Sequence, residues 1–143
     1  MGEELKKEVE LLDQIVINLQ RKVRAKLSQE VSQGIITPPQ YSILTYLLER
    51  GESKMADLSR YLLISASGVT GIVDNLVRMG LVQRGSSPQD RRVIKISLTP
   101  RGKELISRIR TEFQEVLQKV LVGFSVKERR ELIRLLGKME KLL

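Results

Sequence analysis

The chain has 143 residues, with 25 Lys and Arg against 17 Asp and Glu, and a formal net charge of +8. That length allows one small lobe plus helices that need a partner to bury them, and the basic balance points to a polyanion. Cysteine and histidine are both absent, which excludes disulfides, thiolate nucleophiles, cysteine redox sensing and imidazole-based acid–base or zinc chemistry.

The first residues turn at once into an amphipathic pattern without the apolar core of a leader peptide. The longest uncharged run, residues 31–48, is interrupted by Ser32, Gln33, Gly34, Pro38, Pro39 and Gln40, so it reads as a loop and helix start rather than a membrane span. A cytoplasmic protein with no membrane contact is expected. Leu5, Val9, Leu12, Val16, Leu19, Val23 and Leu27 recur every three or four residues, a heptad-like stripe on a long helix that seeks another helix. Leu11, Ile15 and Ile17 widen the stripe, so burial on more than one side is expected.

Thr37, Pro38 and Gln40 combine an N-cap, a first-turn proline and a reciprocal capping side chain, predicting a helix that runs to residue 49 or 50 and stops at Gly51. A short helix follows over residues 54–62, with Met55, Leu58 and Leu62 inward. Ile64 and Ser65 make the turn into a third helix that presents Val69, Ile72, Val73, Leu76 and Met79 to the core and closes at Gly80. Residues 81–84 read as one strand and residues 93–98 as another, joined by a polar loop over residues 85–90. Thr99 and Pro100 open a long helix to about residue 122, marked by Leu105, Ile109, Phe113, Val116 and Val120. Gly123 breaks it. Ser125 and Glu128 form a capping box for a last helix with Leu132, Leu135, Leu136, Met139 and Leu143 on one side.

The fold class is therefore mainly α with a small β-hairpin wing (α+β): a winged helix-turn-helix lobe flanked by long N- and C-terminal dimerisation helices. Residues 1–36 form the N-terminal dimerisation helix and loop, 37–99 the DNA-binding lobe and 100–143 the C-terminal dimerisation helices. The apolar helix faces exceed what the central lobe can cover, so a homodimer is expected.

Residues 84–103 hold Arg84, Arg91, Arg92, Lys95, Arg101 and Lys103 against the single acid Asp90, six charges against one, so this stretch carries +5 of the +8. A basic hairpin that follows a helix-turn-helix suits double-stranded DNA. Ser65, Ala66, Ser67, Thr70, Gly71 and Asn75 are the outward, small or polar positions of the third helix, suited to base edges in the major groove. Gly68 and Gly71 each cost a helix roughly 1 kcal/mol relative to alanine, which close approach to a backbone explains. Arg91 and Arg92 follow the wing tip, where a guanidinium can enter a narrow minor groove, with Asp90 orienting one of them.

From residue 37 to about 105 the chain resembles the MarR family of winged-helix regulators, through Leu76, Gly80, Leu81 and Val82, then Asp90, Arg91 and Arg92, then Leu98, Thr99, Pro100, Arg101 and Gly102. The flanking helices sit where that family builds its dimer. The resemblance implies a transcriptional regulator, most often a repressor, that binds a pseudo-palindromic operator as a homodimer. It also implies that Arg92 is the minor-groove arginine and Asp90 its positioning acid. A small phenolic or aromatic effector that releases DNA is part of the same implication, and no cofactor or metal is. Many relatives carry a basic side chain where this chain has Gly71. Tyr41, Tyr46, Tyr61, Met55 and Phe113 are candidates to line an effector cleft, although apolar residues at helical spacing are more often core.

The competing reading is a winged-helix protein-interaction module whose basic wing meets an acidic protein surface. Glu49, Glu52, Asp57 and Asp74 read as solvated helix charges, which leaves an enzyme without catalytic groups. Five aromatic residues, none in a strand, give RNA bases little to stack on.

Overall fold

The computed structural model describes residues 2–143 and divides into two compact units, Leu27–Arg110 and the N-terminal helix with Thr111–Leu143. The first unit holds α2 (Gln29–Ser32), α3 (Pro38–Arg50), β1 (Ser53–Lys54), α4 (Met55–Leu62), α5 (Ala66–Arg78), β2 (Val82–Ser86), β3 (Ile94–Leu98) and the first half of α6 (Pro100–Leu121). The second holds α1 (Glu3–Lys26), the rest of α6 and α7 (Val126–Leu142).

The predicted helix starts are present and capped as expected. Gln40 N–H donates to Thr37 Oγ1 at 3.4 Å while Thr37 N–H donates to Gln40 Oε1 at 2.9 Å, and Ser125 and Glu128 form the same reciprocal pair at 3.1 and 3.0 Å. Gly51 and Gly80 end α3 and α5 at φ +75° and +73°, a conformation that costs side chains with a Cβ.

Three local features differ from the sequence-based expectation. Residues 29–32, expected as loop, form the short α2, and Ile36 behind it is buried in the core. Gly85 and Ser86, expected in the hairpin loop, extend β2, because β3 supplies partners as far as Lys95 and Ile94. Ser53 and Lys54 pair with Ile96 and Lys95 as a third strand, giving sheet order β1-β3-β2. A two-residue strand carries too little period to be recognised before its partner is known.

The core of the first unit is made by Ile43, Leu44 and Leu47 of α3, Leu58 of α4, Val69, Val73 and Leu76 of α5, with Leu81, Val82, Ile96, Ile106 and Ile109 closing around them. Each buried aliphatic side chain contributes roughly 2 kcal/mol. Met55, Leu62, Ile72 and Met79 are half-buried against this cluster. On α6, Leu105 packs half-buried against the core and Ile109 is fully buried as expected, Ile106 joins them as deeply, and Val120 at the far end of the stripe is exposed.

The second unit is different in kind. Neither α1 nor α7 buries a residue within one chain, and Leu5, Val9, Leu12, Val16 and Leu19 are all between 39% and 56% exposed.

The tightest contact in the first unit joins the end of α5 to the start of α6. A Cβ on Gly102 would lie 1.9 Å from the Leu81 carbonyl oxygen. Thr99 locks the approach: its backbone N–H donates to Leu81 O at 3.1 Å, its hydroxyl donates to Gly80 O at 2.6 Å, and the same oxygen accepts from Gly102 N–H at 3.0 Å. Gly102→Ala is therefore expected to cost ~3 kcal/mol or more, because the obstacle is backbone and not a movable side chain. Urea or thermal unfolding measures it, and an unchanged midpoint would show that the junction yields.

Candidate nucleic-acid interface

Ser65 opens α5 by accepting from Gly68 N–H at 3.2 Å, and Val69, Val73 and Leu76 anchor the opposite face in the core. That anchoring leaves Ser65, Ala66, Ser67, Thr70, Gly71 and Asn75 all exposed on the outer side. Several are already engaged: Ser67 Oγ lies 3.1 Å from Ser65 Oγ, and the Thr70 hydroxyl donates to Ala66 O at 2.9 Å. The Asn75 carbonyl accepts from the Arg78 guanidinium, which leaves the Asn75 amide protons outward. Apart from the adjacent residues and the backbone of α5 itself, nothing among the described residues comes within 4 Å of a Cβ built on Gly71, whereas one on Gly68 would touch Ile64 and Ser65 at 3.4 Å. Internal packing therefore accounts for Gly68 at most, and Gly71 leaves the outer face open.

In the wing, Ser87 is nearly buried and organises the tip. Its N–H donates to Val93 O at 3.1 Å, its hydroxyl donates to Gln89 Oε1 at 2.9 Å, and Gln89 N–H donates back to Ser87 Oγ at 3.3 Å. Asp90 accepts from Arg92 N–H at 3.0 Å and lies 3.6 Å from Arg92 Nε. The Arg92 side chain is 94% exposed, so Asp90 fixes the backbone that carries Arg92 while leaving the guanidinium free to reach outward. Arg91 is exposed beside it.

Two pairings here were not drawn from the sequence. Arg84 of β2 is ion-paired with Asp74 of α5, a link between helix and wing across ten residues of chain. Arg78 stands exposed beside Asn75, a pairing that three-residue spacing could have revealed. The acids expected as solvated helix charges are in fact paired: Asp74 with Arg84, Glu49 with Arg110 at 3.0 Å, Glu52 with Lys95 at 3.6 Å, and Asp57 with Arg60. Tertiary proximity brings Arg84, Arg110 and Lys95, which local sequence cannot show, whereas Arg60 stands three residues from Asp57 on α4.

A cavity of about 410 Å³ lies in the same unit, walled by Ile35, Met79, Leu81, Leu105, Arg101 and the Arg108–Glu30 pair. None of Tyr41, Tyr46, Tyr61, Met55 or Phe113 lines it. Tyr46 instead packs on Tyr61 with ring centroids 4.7 Å apart. Arg108 grips Glu30 with both guanidinium nitrogens, at 2.6 and 3.4 Å. The Arg108 hydrogen bond, then a backbone amide and the Ser28 hydroxyl, hold the Glu30 carboxyl down to about 2 from its ordinary 4.5.

The model of the MarR family matches residues 36–93. A Bacillus subtilis protein called an uncharacterised helix-turn-helix transcriptional regulator, YsmB, is 33% identical over 106 residues, spanning 74% of this chain and 73% of its own. The structure of a MarR family protein from Bacillus stearothermophilus superposes with a TM-score of 0.77 at 33% identity, over 99% of this chain and 96% of that one. The S. aureus MepR–DNA complex superposes at 0.73 with 26% identity, over 92% and 97%.

The lowered Glu30 pKa gives a pH test. A carboxylate whose folded value lies below its unfolded value contributes stability above about 4.5, and loses it as pH falls toward about 2. Glu30→Gln should accordingly be less stable than the parent at neutral pH, with the gap closing across that acid window. Thermal unfolding at a series of pH values checks it, and a gap independent of pH would assign the effect to packing.

Proposed function

Because the chain belongs to the MarR family of DNA-binding helix-turn-helix transcriptional regulators and is not an enzyme, we propose that it represses transcription by holding a pseudo-palindromic operator as a homodimer. The observation that carries this is the pairing of an outward, small-residue α5 face with a wing whose Arg92 is extended and backbone-fixed by Asp90. In this reading Ser65, Ala66, Ser67, Thr70, Gly71 and Asn75 face base edges in the major groove, and Arg91 and Arg92 enter the adjacent minor groove. Gly71, with empty space around it, lets the helix backbone approach the bases where a basic side chain would hold it off. Arg78 and Lys103, both exposed, are placed to meet phosphates.

The second unit supports the dimer. Exposed apolar stripes on α1 and α7 are too extensive for a soluble single chain, and a second copy offers the same stripes in return. Two reading heads then meet half-sites roughly 34 Å apart. The effector site of this reading is the cavity beside Gly80. Its walls combine apolar side chains with Arg101 and Glu104, and Arg101 is the group to take the carboxylate of an aromatic acid. Met79 and Leu81 flank the glycine that ends α5, so a ligand there acts on the reading helix through its exit.

Mobility shift on a duplex selected from a random library tests all three parts. Arg92→Ala should weaken binding by roughly tenfold or more, on the ~1–3 kcal/mol scale of a groove-inserted arginine, and by more than Lys103→Ala. Affinity should fall steeply with salt. A dimer should sediment at micromolar protein, and an aromatic acid that raises the melting temperature of the parent, but not of Arg101→Ala, should release the duplex. Salt-insensitive binding without sequence preference would favour the protein-interaction module instead.

A further inference from the structure

Leu63 is the one non-glycine residue at positive φ among the described residues, with φ 57° and ψ 38°. It is also 90% exposed. The turn that contains it is held from both sides: Leu63 N–H donates to Arg60 O, Ile64 N–H donates to Ser59 O, both at 3.3 Å, and the Ser59 hydroxyl donates to Ile64 O at 2.6 Å. Those bonds impose the left-handed conformation on whatever residue stands at 63, and glycine or asparagine adopts it with less strain. Leu63 therefore carries a backbone penalty and an exposed apolar side chain without contributing to the core. Strained residues that their surroundings sustain cluster at functional contacts.

The position identifies the contact. Leu63 stands two residues before Ser65, the cap of α5, and the N-terminal end of a recognition helix is the end that meets base edges. Its neighbours Tyr61 and Ile64 are also partly exposed, at 47% and 38%, so the mouth of the reading head is apolar in a chain otherwise built to attract polyanions. Base edges in the major groove offer one apolar group, the C5-methyl of thymine.

We infer that Leu63 is a specificity-determining residue that packs on a thymine methyl at the edge of each operator half-site. The inference rests on the operator reading above and names one base for it. Uracil keeps every hydrogen-bonding atom of thymine and lacks only that methyl, so it isolates the contact.

The experiment uses the full-length chain, the tightest duplex selected from a random library, and copies of that duplex in which each thymine is replaced in turn by uracil. For the parent, one symmetry-related thymine per half-site should be sensitive, with about a fourfold loss per methyl removed. Leu63→Asn should bind the thymine duplex more weakly, lose that sensitivity, and melt no lower than the parent because asparagine accepts the left-handed turn. Recovery of no preferred duplex overturns the operator reading and this inference together. A preferred duplex on which parent and Leu63→Asn respond equally to uracil at every position overturns this inference alone, as does a Leu63→Asn defect confined to sedimentation.

Discussion

The reading head depends on how closely the start of α6 approaches the end of α5. With the Leu81 carbonyl where a Gly102 Cβ would stand, and Thr99 bonded to Gly80, Leu81 and Gly102 at once, the exit of α5 has no freedom to shift without α6. Hydrogen bonds to backbone carbonyls at 2.6 and 3.1 Å satisfy groups that the end of a helix otherwise leaves open. Leucine, threonine and two glycines thus form a mechanical joint as much as a local turn. The signature residues Gly80, Leu81, Thr99 and Gly102 lie on its two sides.

That joint organises the surface as well. Leu81 and Val82 enter the core directly after it, which fixes where β2 begins and so where the wing projects. The Asp74–Arg84 pair then ties the wing strand back to the reading helix. Helix α5 and the wing are linked at both ends, by backbone at Gly80 and by charge at Asp74, and neither can be repositioned alone. The cavity walled by Met79 and Leu81 adjoins the first of these links. The outer face itself is built from small and hydroxyl side chains, several bonded to their own helix.

The sequence by itself determined the order of the longer helices and of the two hairpin strands, because capping residues, glycines at helix ends and apolar period are local signals: Thr37, Ser65, Gly80, Thr99 and Ser125 each stand where a helix starts or stops. It also determined the outward face of α5, since the inward Val69, Val73 and Leu76 fix the remainder by helical geometry, and it placed the basic wing with Asp90 beside Arg92. Tertiary structure alone decided the rest. β1 exists only because β3 lies beside it, Asp74 is paired only because Arg84 folds back to it, and α2 forms against the core that Ile36 joins. Neither the close approach at Gly102 nor the left-handed turn at Leu63 is legible in a pattern of residue types. The first follows from distant backbone atoms that the packed core brings together, and the second from the hydrogen bonds that Ser59, Arg60 and Ile64 make around the turn.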